Sequence, residues 1–594
     1  MIDHLEARIA PAVLTGNVLT YIDADGDNVT ITFKTKAALA AANFTFNNAF
    51  ATLTAQQLQL INLSGDAKND GAAFTATVEQ AGGGDGKVNI GYVNATGRDL
   101  KAVLIPGDLG QIDCGDANPD AGLGKLVVGS MGALGLTTQG GGASLDSTIT
   151  GPLKSLVING NLAGTINVFE PAEGLGSIGK AFIGGDIDGM AQGLGKILTD
   201  DDIKSIVVKG RVVGGAASNS GKIVAGEKMG KATIGVPAAA GAPPPGVVVS
   251  GGGGSESGKI EAGDVLGKVT IYGSVQGGAG LESGRIQSGG SDIKKVLITG
   301  DLLGGGGIQS GSIEADAIVK SVTILGNLTG AGGRLSGSID GVDGAGKVKI
   351  GGNVSGGGGD FSGFIEGEGL FKSVEIGGNL TGGGGVDSGE VFASDVLGKV
   401  LIKGNVASST GAHSGNIQSD GFLGSVTILG TVTGTAAHKV VIQAVSAAKP
   451  GSSDIAIKGV KIGGDASFLN ILAGYSGTAA GDIQPVVDGD AGIGAVAFGG
   501  NVSGTNIAAG VNPANGKFGD AGDFVPGGFA AKPDSVIGKL LIAGTLNATA
   551  DGTDQFGFTA QLIKSAKING VKLALTKGKD SLTPAADTTL IEVA

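Results

Sequence analysis

Tryptophan is absent from this chain of 594 residues. Cysteine occurs once (Cys114), histidine three times (His4, His413, His438) and arginine five times (Arg8, Arg98, Arg211, Arg285, Arg334). Each scarcity excludes something. A single cysteine cannot build a disulfide framework, so stability must come from packing and backbone hydrogen bonds. Scattered histidines, without cysteine or paired carboxylates at ligand spacing, suggest neither a zinc site nor a Ser-His-Asp triad. The charge balance is acidic, with Lys+Arg 41 against Asp+Glu 54 and a net charge of -13. Such a chain has no electrostatic footprint for phosphate backbones, so nucleic acid is not an expected partner. No apolar run approaches the length of a membrane-spanning helix, so no transmembrane segment is expected. Proline, at 15, and the lack of Gly-X-Y triplets exclude collagen. The first residues carry neither a basic stretch nor an apolar core, so no Sec-type signal is visible.

Glycine is what the chain has in excess, 118 residues, together with 41% apolar residues, too many for a disordered acidic tail. The glycines are periodic. The segments "GKVTIYGSV", "KKVLITGDL", "KSVTILGNL", "GKVKIGGNV", "KSVEIGGNL", "GKVLIKGNV" and "GSVTILGTV" place one at 273, 300, 326, 352, 378, 404 and 430, at intervals of 27 and then 26 five times. Four before, two before and two after that glycine, every unit is apolar, as in Val322, Ile324 and Leu328 or Val374, Ile376 and Leu380. Alternate apolar positions, mostly β-branched, predict a strand with one inward face. Thirteen residues after the glycine comes another inward position (Ile286, Ile313, Ile339, Ile365, Val391, Ile417), preceded by Ser-Gly-x. Glycine clusters such as 304–307, 356–359 and 382–385 lie between, and are expected to supply positive φ at corners.

A 26-residue unit of short strands cannot bury its apolar face alone, whereas stacked units do. The expected fold is therefore all-β, a parallel β-helix (β-solenoid) of about 26 residues per coil with an N-terminal strand-rich cap. Weaker copies around Gly107, Gly160, Gly185, Gly210, Gly464, Gly500, Gly544 and Gly570 extend it to about 17 coils, roughly 80 Å at a parallel-strand spacing near 4.8 Å. The expected organisation is a cap at 1–100 containing Phe44, Phe46 and Phe50, a regular solenoid at 101–450, and irregular coils with a terminal cap at 451–594. The stretches 237–246 and 508–532 read as loops inserted at corners, and "TTLIEVA" as a final edge strand. The aligned Asn327, Asn353, Asn379 and Asn405 are expected to stack as an amide ladder bonding along the stack, and the Ser-Gly serines likewise.

Several segments resemble a known family. "LEARIAPA" (Leu5 to Ala12), "YIDADGDNVTITF" (Tyr21 to Phe33), "GKVNIGYVNATGRDL" and "GDLGQIDCGD" are similar to the start of large bacterial surface proteins with an LEPR-type N-terminal segment, found in planctomycete and verrucomicrobial bacteria. The Ser-Gly coils resemble the repeats of those proteins, and residue 7 is Ala where the family pattern has Pro. The resemblance implies an exported protein, extracellular or at the cell surface, and carries over no catalytic residue.

Motifs that bear chemistry are few. "DADGD" sets Asp23, Asp25 and Asp27 on alternate residues around Gly26, a pattern that suits calcium or simply an acidic turn before a strand. The Gly174–Ala181 segment "GLGSIGKA" mimics a phosphate-binding loop, but Ala181 lacks the hydroxyl and no helix is expected to follow. "GGAGLESG", "GGGGDFSG" and "GGGGVDSG" lack the nonapeptide period of calcium β-rolls. Asp200, Asp201 and Asp202 read as a solvated acidic corner. The candidate site residues are thus Asp23, Asp25 and Asp27, with calcium as the candidate cofactor and no catalytic residue. The expected function is a non-catalytic structural protein of the surface or matrix that assembles with itself into filaments, a sheath or a layer. An adhesin binding cell-surface polysaccharide through its inserted loops is the alternative. A polysaccharide lyase is third, since arginines and aromatic platforms are scarce and parallel β-helices only often host such enzymes.

Overall fold

A computed structural model describes the chain except residues 1–11, 48–54, 82, 119–120, 141–143, 170–173, 192–193, 240, 244, 447–453, 477–485, 527–534, 552, 577–579 and 594. Most of "LEARIAPA", with His4 and Arg8, therefore lies outside the described residues, as do Phe50 and parts of both inserted loops. The described residues contain strands and short 3-10 turns, and no α-helix. Among the described residues no helix is long and apolar enough to cross a membrane. The chain forms two compact units, Met1–Gly273 with Ser283–Ser291, and Ser274–Glu282 with Asp292–Ala594.

The first unit begins antiparallel. Val18–Ile22 pairs with Asn28–Lys34, which pairs with Ala72–Glu79. Alternation turns Leu19, Ile31, Phe33 and Phe74 inward, each at most 4% exposed. Phe33 packs between Phe44 and Phe74 at centroid distances of 5.6 and 5.2 Å. The pairing then becomes parallel, Leu58–Asn62 with Ile90–Thr96 and Ile90–Thr96 with Leu100–Gly115. Successive coils continue it, the row Leu156, Ala181, Ile206, Ala232, Val269 running in register. The "GLGSIGKA" segment enters the strand Ile178–Ile183 directly, so it has no helix to dock a phosphate on.

The second unit is the regular one. Up to Thr433 its coils have a long strand (as Ile318–Ile324), a two-residue strand (as Leu328–Thr329) and a three-residue strand (as Ile339–Gly341). Every coil pairs in parallel with the next, so Ile298, Ile324, Ile350, Ile376, Ile402, Ile428 and Ile462 form one column. All seven are 0% exposed. Burying such a side chain contributes about 1.5–3 kcal/mol, which the flat repeat collects once per coil. Near the C-terminus Ser581–Ala585 folds antiparallel on Thr588–Glu592, the predicted last strand.

The glycines and polar rows work differently from the expectation. The clusters have no positive φ. Instead, a Cβ at Gly304, Gly305, Gly307, Gly356, Gly357 or Gly359 would come inside 3.0 Å of an adjacent backbone, so these glycines let chains approach. The repeat glycines 352, 378, 404 and 430 clear room for the side chain of Asn327, Asn353, Asn379 and Asn405 in the preceding coil. Those asparagines do not bond amide to amide. The backbone N–H of Asn327, Asn353, Asn379, Asn405 and Thr431 donates to the side-chain Oδ1 one coil earlier (Asp301 onward) at 2.7–2.9 Å. Only an acceptor oxygen is needed, which is why Asp serves at 301 and 186. The serines bond within their own coil: Ser362 Oγ accepts from Gly357 N at 2.9 Å and donates to Gly359 O at 2.6 Å.

Candidate functional site

The serine turn fixes a corner that repeats from coil to coil between Asn219 and His413. Immediately before each Ser-Gly sits a non-glycine residue in the left-handed region: Gln309, Leu335, Phe361, Asp387 and His413 have φ between 52° and 55°. Side chains rarely tolerate this region, at a cost of about 1–2 kcal/mol. The variable residues cluster at three positions around the corner: this left-handed residue, the one after Ser-Gly, and the one two further on. Parallel stacking spaces them about 4.8 Å apart from coil to coil. Three coils therefore give a lattice of nine side chains on one face.

In the second unit that lattice is chemically distinct at Phe361, Asp387, His413; Phe364, Glu390, Asn416; and Glu366, Phe392, Gln418. Eight of these, all but Asn416, line a cleft of about 310 Å³ together with Val386 and Asp420. Phe361 meets Phe364 edge-on at 5.5 Å, and Phe392 lies nearly parallel to Phe364 at 6.3 Å. Arg334 stacks on the Phe361 ring at 5.2 Å. His413 Nδ1 is 3.0 Å from Asp387 Oδ1. Glu390 is 2% exposed, and its Oε2 has no hydrogen-bond partner; neither has His413 Nε2. Burial, then the neighbouring Asp387 charge, pushes the Glu390 carboxyl well above the carboxylate range. Burial, with Asp340 and Glu368 beside it, raises Glu366 to about 7. Burial raises Asp420 as well. The cleft thus combines an aromatic wall with buried acids: Glu366 feels the Arg334 charge and Asp387 faces His413, while Glu390 Oε2 has no partner.

The same lattice positions in the first unit close on themselves. Lys222 Nζ lies 2.6 Å from Glu256 and 3.2 Å from Glu261, and Lys259 Nζ 3.5 and 3.3 Å from the same two carboxylates. Both lysines are buried, at 7% and 2% exposure, so each ammonium is held between acids. Nearby, Asp200 is exposed but Asp201 is buried, so the Asp200–Asp202 corner is solvated only in part.

The acidic turn has a structural occupation of its own. Carboxylate oxygens of Asp23, Asp25 and Asp27 lie within 4.8 Å of one another. Asp27, fully buried, accepts Ala81 N on Oδ1 and Gly86 N on Oδ2, both at 2.7 Å. Asp25 Oδ2 accepts Asp85 N at 3.0 Å, and Asp23 Oδ1 accepts Asp27 N at 2.8 Å. Burial and a hydrogen bond shared with Asp25 raise Asp23 to about 7, while that shared bond lowers Asp25. A calcium ion takes about six to eight oxygens. Here both Asp27 oxygens already face N–H donors, so Asp23 and Asp25 would be the principal ligands and would have to give up their shared proton.

Sequence reasoning placed the site at the turn and missed the cleft. His413 looked isolated because its partner Asp387 lies one coil away rather than at ligand spacing. The signal that would have found them is substitution within the repeat: at positions held by Ser312 and Ser338 in earlier coils, the chain has Phe364 and Glu390. Comparison with known proteins adds no relative, since no family model, curated protein or solved structure matches the chain.

Proposed function

We propose that this chain is a non-catalytic structural protein of the cell surface or matrix, a β-solenoid that assembles with itself. The observation that supports this reading is the uniform column of Ile298 to Ile462, in which coil after coil repeats one packing solution and spends little sequence on reactive groups. Electron microscopy of purified protein over a range of concentrations, with and without calcium, tests it: filaments or sheets are expected, and monomers under every condition would remove the assembly. Calcium belongs to the same reading, at Asp23, Asp25 and Asp27. Thermal melts with millimolar calcium or chelator should show a calcium-dependent rise in the wild type that Asp25→Ala abolishes. Identical melts in all four samples would leave the turn to its N–H donors alone.

A second reading, a surface protein that binds polysaccharide, is favoured by one observation: the cleft at Phe361–Asp420 presents phenyl rings beside buried, unsatisfied polar atoms. It moves the binding edge from the inserted loops to the corner lattice.

A further inference from the structure

We propose that the cleft formed by Phe361, Phe364, Glu366, Asp387, Glu390, Phe392 and His413 binds a hexosamine unit carrying a free ammonium group. The inference rests on the polysaccharide-binding reading and names the class of sugar. Phenyl rings offer apolar faces on which the C–H face of a pyranose packs, while they attract cations electrostatically. A volume near 310 Å³ is at the lower end for small-molecule sites and suits one sugar ring rather than a long chain. Glu366, Asp387, Glu390 and Asp420 make the wall rich in carboxyls, and those that burial leaves protonated would ionise against a bound ammonium, so the wall disfavours uronates and sulfated sugars and favours a positive charge.

The first unit shows what this lattice does with such acids. There the protein supplies the ammonium itself, Lys222 and Lys259 against Glu256 and Glu261 at 2.6–3.5 Å. None of the nine lattice positions at the cleft is a lysine. The buried Glu390 Oε2 and His413 Nε2 remain without partners in its wall. With Nδ1 directed at Asp387, Nε2 is the ring nitrogen left for a ligand hydroxyl. A ligand ammonium and the hydroxyls beside it would engage Glu390 Oε2 and His413 Nε2 together, and a pyranose carries both at ring spacing. A lysine side chain offers the charge and an apolar stem but no hydroxyls.

Isothermal titration of the full chain with a glucosamine tetrasaccharide tests the proposal. The comparison probes are its N-acetylated form, a glucose tetrasaccharide, a galacturonate tetrasaccharide and trilysine. The expected result is binding of the amine oligomer that weakens by at least about tenfold on N-acetylation, the scale of one charge-assisted hydrogen bond. Glu390→Gln and Phe392→Ala, checked for fold by circular dichroism, should each weaken it similarly, while Glu256→Gln in the first unit leaves it unchanged. Equal binding of the glucose and glucosamine oligomers would overturn the ammonium assignment and leave polysaccharide binding standing. No heat with any saccharide would overturn both. Trilysine binding as tightly as the amino sugar would assign the cleft to a cationic peptide and remove the sugar.

Discussion

Gly358 and Gly359 are neighbours in one cluster with opposite reasons for being glycine. A Cβ on Gly358 would meet nothing within 4 Å, and its φ is one that any residue adopts. A Cβ on Gly359 would press inside 3.0 Å of the Gly333 backbone. Gly358→Ala should therefore leave the melt unchanged or raise it slightly, by up to about 1 kcal/mol through the unfolded chain. Gly359→Ala should lower stability by about 1–3 kcal/mol, the scale of overpacking. Chemical denaturation of the two variants checks this, and equal effects would refute the close-approach account. At the repeat glycine the nearest conflict is with a side chain, ahead of the preceding coil's backbone, so it can be relieved in part. Gly378→Ala would crowd Asn353 Oδ1. Adding Asn353→Ala should recover part of the loss despite removing the acceptor for Asn379 N. A double-mutant cycle with strictly additive losses would show that Asn353 is not what the glycine makes room for.

The strands depend on their columns. Ile324 is fully buried between Ile298 and Ile350, its parallel partners in the coils on either side. Ile324→Asp would bury a carboxylate with no cation or donor in its column, at a cost of several kcal/mol. Loss of soluble folded protein is expected, and Ile324→Val, a loss of one methylene, should cost about 0.5–1.5 kcal/mol. An Asp variant with unchanged circular dichroism and melting would contradict the inward orientation. The same logic explains why the cap is antiparallel. Phe33, Phe44 and Phe74 close a small core by themselves, so the first strands do not need a preceding coil.

Over the whole molecule, the buried acids set a pH dependence. Asp23 and Glu366 are raised to about 7, Asp523 to about 6, and Glu390 well upward, each chiefly by burial. A carboxyl whose folded pKa is raised binds more protons folded than unfolded, so its stabilisation is present at low pH and lost as pH rises through the folded value. The window runs from the ordinary carboxylate range near 4 to about 7. A net charge of -13 pushes the same way, since self-repulsion grows as acids ionise. Melting temperature should fall between about pH 5 and pH 8, and Glu366→Gln should flatten part of that slope. Glu256 and Glu375, lowered by Lys222 and Lys403 respectively, act oppositely and weaken the protein only as pH drops below the ordinary carboxylate range. A melt that rises steadily from pH 5 to pH 8 would contradict the buried, proton-holding state of these acids.

The parallel β-helix, its inward rows and the closing strand at Thr588–Glu592 were legible in the sequence, because a strand's period of two and a coil's period of 26 are local and repeat many times. The reason for each glycine was not. Whether Gly305 or Gly359 is forced by φ or by a neighbour depends on an atom one coil away, which only the stacking supplies. The serine and asparagine rows look alike as aligned columns, yet one bonds within its coil and the other between coils. The acidic turn was visible because Asp23, Asp25 and Asp27 are adjacent in the chain. The cleft was invisible for the converse reason: Phe364, Glu390 and His413 are each a single departure within a repeat. Sequence by itself determined that coils must stack. Tertiary structure decided which departures meet, because register places residues about 26 apart at neighbouring strand positions and leaves Glu390 Oε2 buried without a partner.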